Sequence, residues 1–112
     1  MEWVGDARIQ VGAYEAPTPA QVAPFLAGFV HGLATHTAVR EAELVEVDAF
    51  NAADSSNPTR HVGFRFLAES HEAAERLASD ELRHTGLRAG MEALHPSLRQ
   101  FGWAVSINVN PT

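Results

Sequence analysis

Cysteine and lysine are both missing from the 112 residues. Without Cys there is no disulfide, no thiolate nucleophile and no Cys-ligated zinc or iron–sulfur cluster. Without Lys there is no Schiff-base chemistry and no phosphate-loop lysine. Basic residues are scarce in general: eight, all Arg, stand against fourteen Asp and Glu, for a formal charge of −6. That is the wrong sign for a chain that gains affinity by neutralising phosphates, so nucleic acid is not an expected partner. Long apolar runs are absent too. No stretch approaches the ~18 residues of a membrane span, and Met1 to Asp6 has no basic region leading into an apolar run. A cytoplasmic protein without membrane association is expected. Any catalysis falls to His, Asp, Glu, Arg, the single Tyr or a bound cofactor. What is present, 46% hydrophobic residues in 112, suits one small globular domain spanning 1–112.

Periodicity gives the order of elements. Ala7 to Tyr14 alternates, with Ile9 and Val11 on one side and Arg8, Gln10 and Tyr14 on the other, the signature of a half-buried strand. Thr18 is an N-cap with Pro19 at the first helical position, and Val22, Phe25, Leu26, Phe29, Val30 and Leu33 recur on one helix face up to about His36. Glu43 to Phe50 alternates again, with Val45, Val47 and Ala49 set against Leu44, Glu46, Asp48 and Phe50. A polar turn over Asn51 to Thr59 leads into Arg60 to Ala68, whose Val62, Phe64 and Phe66 oppose His61, Gly63, Arg65 and Leu67, so the two strands form an antiparallel hairpin. Ser70 caps a helix bearing Ala74, Leu77 and Ala78. Ser79-Asp80 reads as a second cap, so a break is expected before a further helical piece with Leu82, Leu87, Met91 and Leu94, ended by His95-Pro96. Phe101 to Val109 is the last strand.

The order β-α-β-β-α-β predicts an α+β, ferredoxin-like unit: a four-stranded antiparallel sheet with both helices on one face. The apolar strand rows turn to the helices. The other face then collects Arg8, Gln10, Tyr14, Leu44, Glu46, Asp48, Phe50, His61, Arg65, Leu67, Ser106 and Asn108. It is either a solvated face or, as its large apolar members favour, a face roofed by a second copy of the chain, closing a dimeric α+β barrel around a ligand. His61 and Arg65 lie about 13 Å apart along their strand, and Glu46 and Asp48 about 7 Å apart on the next. All four can reach one chamber. His31 and His36, five apart on a helix, do not share a face, and no better metal pair exists, so no metal is expected. No glycine-rich phosphate loop follows a strand; Gly28, Gly32, Gly86 and Gly90 fall inside helices and permit close packing.

The segment Arg60 to Leu87, with its strand running into Glu69-Ser70-His71-Glu72-Ala73, its broken helix and its His84, resembles the dimeric α+β barrel superfamily. That group contains antibiotic-biosynthesis-type monooxygenases, stress-responsive barrel proteins, heme-degrading enzymes and small polyketide cyclases. The resemblance implies a homodimer and, for His84, a catalytic acid or base acting on a bound polyketide. The tyrosine that accompanies this His in the cyclases has no counterpart between Arg76 and Leu82. The Trp that monooxygenases commonly place two residues before the Ser is Ala68 here.

The leading expectation is a cofactor-independent enzyme that cyclises or rearranges an apolar, aromatic or polyketide-like small molecule by acid–base chemistry. Oxygenation comes second, and a non-catalytic ligand-binding or dimerisation module third; heme would require an axial His in the chamber. The expected catalytic set is His84 or His61 as proton shuttle, Tyr14 and Arg65 as stabilisers of an enolate oxygen, and Asp48 or Glu46 as orienter of a histidine. Arg8, Gln10, Glu46, Phe50, Leu67, Ser106 and Asn108 are expected to contact the substrate.

Overall fold

The computed structural model describes residues 1–12, 18–45 and 59–112. Its elements are β1 (Glu2–Gly12), α1 (Pro19–Thr35), β2 (Val39–Val45), β3 (Thr59–Leu67), α2 (His71–Leu77), a π turn (Ala78–Leu82), α3 (Arg83–Ala93), a 3-10 turn (Pro96–Leu98) and β4 (Gly102–Pro111). The strands form one antiparallel sheet in the order β2-β3-β1-β4. This is the ferredoxin-like arrangement that two crossovers of one hand produce.

Period-2 burial decides which face meets the helices. In β1 the buried set is Trp3, Gly5, Ala7, Ile9 and Val11; in β3 it is Val62, Phe64 and Phe66; in β4 Val105 is buried between half-buried Trp103, Ile107 and Val109. From the helix layer Val22, Phe25, Leu26, Phe29, Leu33, Ala74, Ala78 and Leu82 close onto these rows. Buried polar ends find partners: Trp3 Nε1 donates to the Ala68 carbonyl at 3.2 Å, and Trp103 Nε1 to that of Leu98 at 2.9 Å.

Helix α1 begins as expected. Thr18 Oγ1 accepts from the Gln21 N–H at 3.2 Å and the Gln21 side chain accepts from the Thr18 N–H at 2.9 Å, a reciprocal capping box. Ser70 caps α2 with a single bond, its Oγ accepting from the Ala73 N–H at 3.2 Å.

Three expectations need correction. β1 starts at Glu2, not Ala7, which brings Trp3 into the core and Asp6 onto the open face. β2 covers Val39–Val45 rather than residues 43–50, and its register sets Leu44 opposite core Val62 and Val45 opposite His61. An irregularity between Val39 and Glu41 shifts the register, and one extra residue reverses every following position. Finally, there is no break at Ser79-Asp80. The helix runs on through the π turn, with αR backbone at both joins, and the Ser79 hydroxyl donates back to the Glu75 carbonyl instead of capping a new helix.

Candidate functional site

On the open face the strands set the side chains in cross-strand rows. Arg8 in β1 stands between His61 of β3 and Ser106 of β4; Asp6 stands between Gly63 and Asn108; Val4 stands between Arg65 and Asn110. Opposed residues on one face have Cβ atoms about 5 Å apart, so His61, Arg8, Ser106, Asp6 and Asn108 form one patch, with the missing side chain of Gly63 leaving room beside the imidazole.

Within this patch the His61 ring is held. Its Nδ1 lies 3.0 Å and 3.2 Å from the two carboxylate oxygens of Asp6. A carboxylate only accepts, so Nδ1 carries the hydrogen, and in the neutral ring Nε2 is the nitrogen with the lone pair. Among the described residues Nε2 has no partner. The His61 side chain keeps 16% of its exposure and that of Asp6 41%. Asp6 is thus the carboxylate that meets His61 among the described residues; Asp48 and Glu46, expected beside a histidine, lie outside them. Asp6 escapes a reading in which the strand begins at Ala7. Sequence did hold a signal: Asp6 continues the alternation of Arg8 and Gln10 one step toward the N-terminus.

The other expected site residues divide by location. Arg8, Arg65, Ser106 and Asn108 are exposed on the same open face, with Leu67 at its end 37% exposed. Glu41 stands in register with Arg65. Gln10 also lies on this face, in register with Thr59 and Ala104. Tyr14, Glu46, Asp48 and Phe50 lie outside the described residues.

His84 is not brought to this patch. It is exposed on α3 and, with His31, Thr35, Arg88 and Glu92, lines a groove of about 620 Å³ where α1 and α3 cross, floored by Gly32 and Ala89. The sheet-facing side of α1 and α3 is taken up by the core, so this groove opens on the outer side of the helix layer, with the sheet between it and His61. At one end of the groove His36 Nδ1 accepts from the Ala38 N–H at 3.1 Å, which leaves Nε2 as the donor to Glu81 at 3.1 Å. This bond ties the end of α1 to the π turn. His31, His36 and His84 thus share a groove. Among the described residues no group of three or more His, Asp or Glu side chains is placed to hold a metal ion.

No family profile matches the sequence, and no curated protein matches it significantly. Solved structures do. A cofactor-independent oxygenase, SnoaB from Streptomyces nogalater, superimposes with a TM-score of 0.54 at 16% identity, over 99% of this chain and 92% of that one. A variant of the same enzyme gives 0.53 at 15% identity over the same shares. Rv0793 from Mycobacterium tuberculosis gives 0.47 at 18% identity, over 96% of this chain and 93% of that one. The chain has the ferredoxin-like α+β fold of the Streptomyces oxygenase.

Proposed function

We propose that this protein is a small enzyme that removes a proton from carbon in a largely apolar organic molecule and needs no cofactor to do so. The observation that carries the proposal is the His61–Asp6 contact. The imidazole is fixed in one tautomer, its basic nitrogen points away from its carboxylate partner, and that carboxylate stabilises the imidazolium formed when a proton is taken. In a single chain the pair is only partly sheltered. A second copy laid over the open face would enclose it, and an enclosed site strengthens each of these electrostatic effects.

For cyclisation the balance is simple. His61 Nε2 takes the proton next to a carbonyl, the resulting enolate carbon forms a bond to a second carbonyl of the same molecule, and the imidazolium returns the proton to the new alkoxide. No oxidant is consumed. A second reading is favoured by the fold shared with a cofactor-independent oxygenase: the same carbanion reacts with dioxygen, the methylene becomes a carbonyl and one water leaves. Both readings begin with the same step, so one experiment tests their common part. Deuterium loss from the methylene of benzoylacetone, followed by proton NMR, should be faster with the protein than with buffer. His61→Gln should return it to the buffer rate, and Asp6→Asn should lower it by about a hundredfold or more. Unchanged exchange in H61Q would refute the assignment. Turnover that persists without dioxygen separates cyclisation from oxygenation.

A further inference from the structure

The open face also determines which carbon acid suits His61. We infer that Arg8 receives the negative charge that proton removal creates, and that its planar fork selects substrates whose conjugate base spreads that charge over two neighbouring oxygens. The inference rests on the reading of His61 as the base.

Arg8 is the direct cross-strand partner of His61. The two side chains leave adjacent strands on the same face, with Cβ atoms about 5 Å apart. A carbon held against His61 Nε2 therefore has its attached oxygens within reach of the Arg8 guanidinium. The nearest carboxylate to Arg8 on its own strand is Asp6, two residues away, and Asp6 is taken up by His61. Among the described residues Arg8 has no ion-pair partner, and it is exposed. Its donors are thus available to a ligand. Ser106, in register with Arg8 on the far side, adds a hydroxyl.

Arg65, the other guanidinium on this face, is four residues along β3 from His61 with Gly63 between them, about 13 Å by strand rise. It stands farther from the imidazole than Arg8 does, in register with Glu41 on β2. Arg8 is therefore the guanidinium placed directly beside the base.

The identity of the cation adds specificity. A guanidinium presents two parallel N–H donors to two oxygens of a planar anion, whereas an ammonium acts as a point charge. An enolate flanked by a second carbonyl is such an anion: on deprotonation its two oxygens share the charge and lie side by side. A simple ketone gives an enolate with one oxygen and uses half of the fork.

The test compares two probes, benzoylacetone with two carbonyls and acetophenone with one, each scored as acceleration of deuterium exchange over buffer. Arg8→Lys keeps the charge and removes the fork. It should reduce the acceleration of benzoylacetone by about tenfold or more, while that of acetophenone changes less than about threefold. Arg8→Gln should lower both. Arg76→Lys, on the exposed side of α2, should change neither. If R8K leaves the preference for benzoylacetone intact while H61Q abolishes exchange, the assignment of Arg8 is overturned and the base stands. If H61Q exchanges like the wild type, the base itself is overturned. If the wild-type protein accelerates neither probe, both are overturned.

Discussion

Gly5 lies beneath an aromatic ring. It pairs across the sheet with Phe64, and a Cβ built on it would come 2.3 Å from Phe64 Cζ. Phe64 is 2% exposed and packed within the core cluster, so its ring has little room to retreat. Gly5→Ala should relieve the entropic cost of a strand glycine, about 0.5–1 kcal/mol, yet overpack the core by about 1–3 kcal/mol. The clash wins. The expected outcome is a lower urea midpoint with unchanged slope, and an equal or higher midpoint would show that the ring can shift. The same stretch shows where the sequence was legible at the residue scale. Ile9, Val11, Val62, Phe64 and Phe66 announce their faces by alternation. Gly5 interrupts that alternation with a residue that has no side chain, so periodicity alone starts the strand after it. Asp6, the carboxylate that meets His61, is recognisable only once β1 is extended to Glu2.

Helices α1 and α3 approach closely because their contact line carries glycine. A Cβ on Gly28 would sit 2.6 Å from the Ala89 carbonyl oxygen, and one on Gly32 would sit 2.6 Å from the Ala89 Cβ. In return, the rings of Phe25 and Phe29 lie against Gly90 and Gly86. Ala is the better helix former by about 1 kcal/mol, but the obstacle at Gly28 is backbone, which yields only if the helices separate. Gly28→Ala is expected to be net destabilising by about 1–2 kcal/mol, read as a fall in melting temperature and in urea midpoint. A neutral or stabilising result would mean that the helices can separate at little cost. Elements are legible where a cap or a periodic face marks them: Thr18, Pro19 and an apolar stripe mark α1. They are hidden where backbone irregularity leaves no mark in composition. The bulge near Glu41 reverses β2, and the π turn turns an apparent cap at Ser79 into a residue bonded back to Glu75.

At the scale of the whole molecule the asymmetry of the sheet is the central fact. One face is covered by helices and holds the core. The other carries the His61–Asp6 pair, an Arg8 with no ion-pair partner among the described residues, half-buried Val4 and exposed Leu67. The order β2-β3-β1-β4 follows from element order and crossover hand alone, which is why the fold was legible in the sequence. A cover for the open face would have to fit it as a second molecule, and hydrophobic periodicity within one chain does not record such a fit. Chemistry at His61 needs shelter from water, so the proposed function requires two chains with these faces together. Sedimentation velocity should give twice the mass of one chain. Leu67→Arg alters a residue already exposed in the single chain, so it should leave the monomer fold within about 0.5 kcal/mol of its stability. In a dimer formed through this face it would bury an unpaired charge. Its expected signature is therefore a shift to single chains together with loss of deuterium exchange from benzoylacetone, while H61Q remains paired and loses exchange alone. A wild-type protein that sediments as one chain at every concentration, and still accelerates exchange, would place the chemistry on an open sheet and remove the need for a roof.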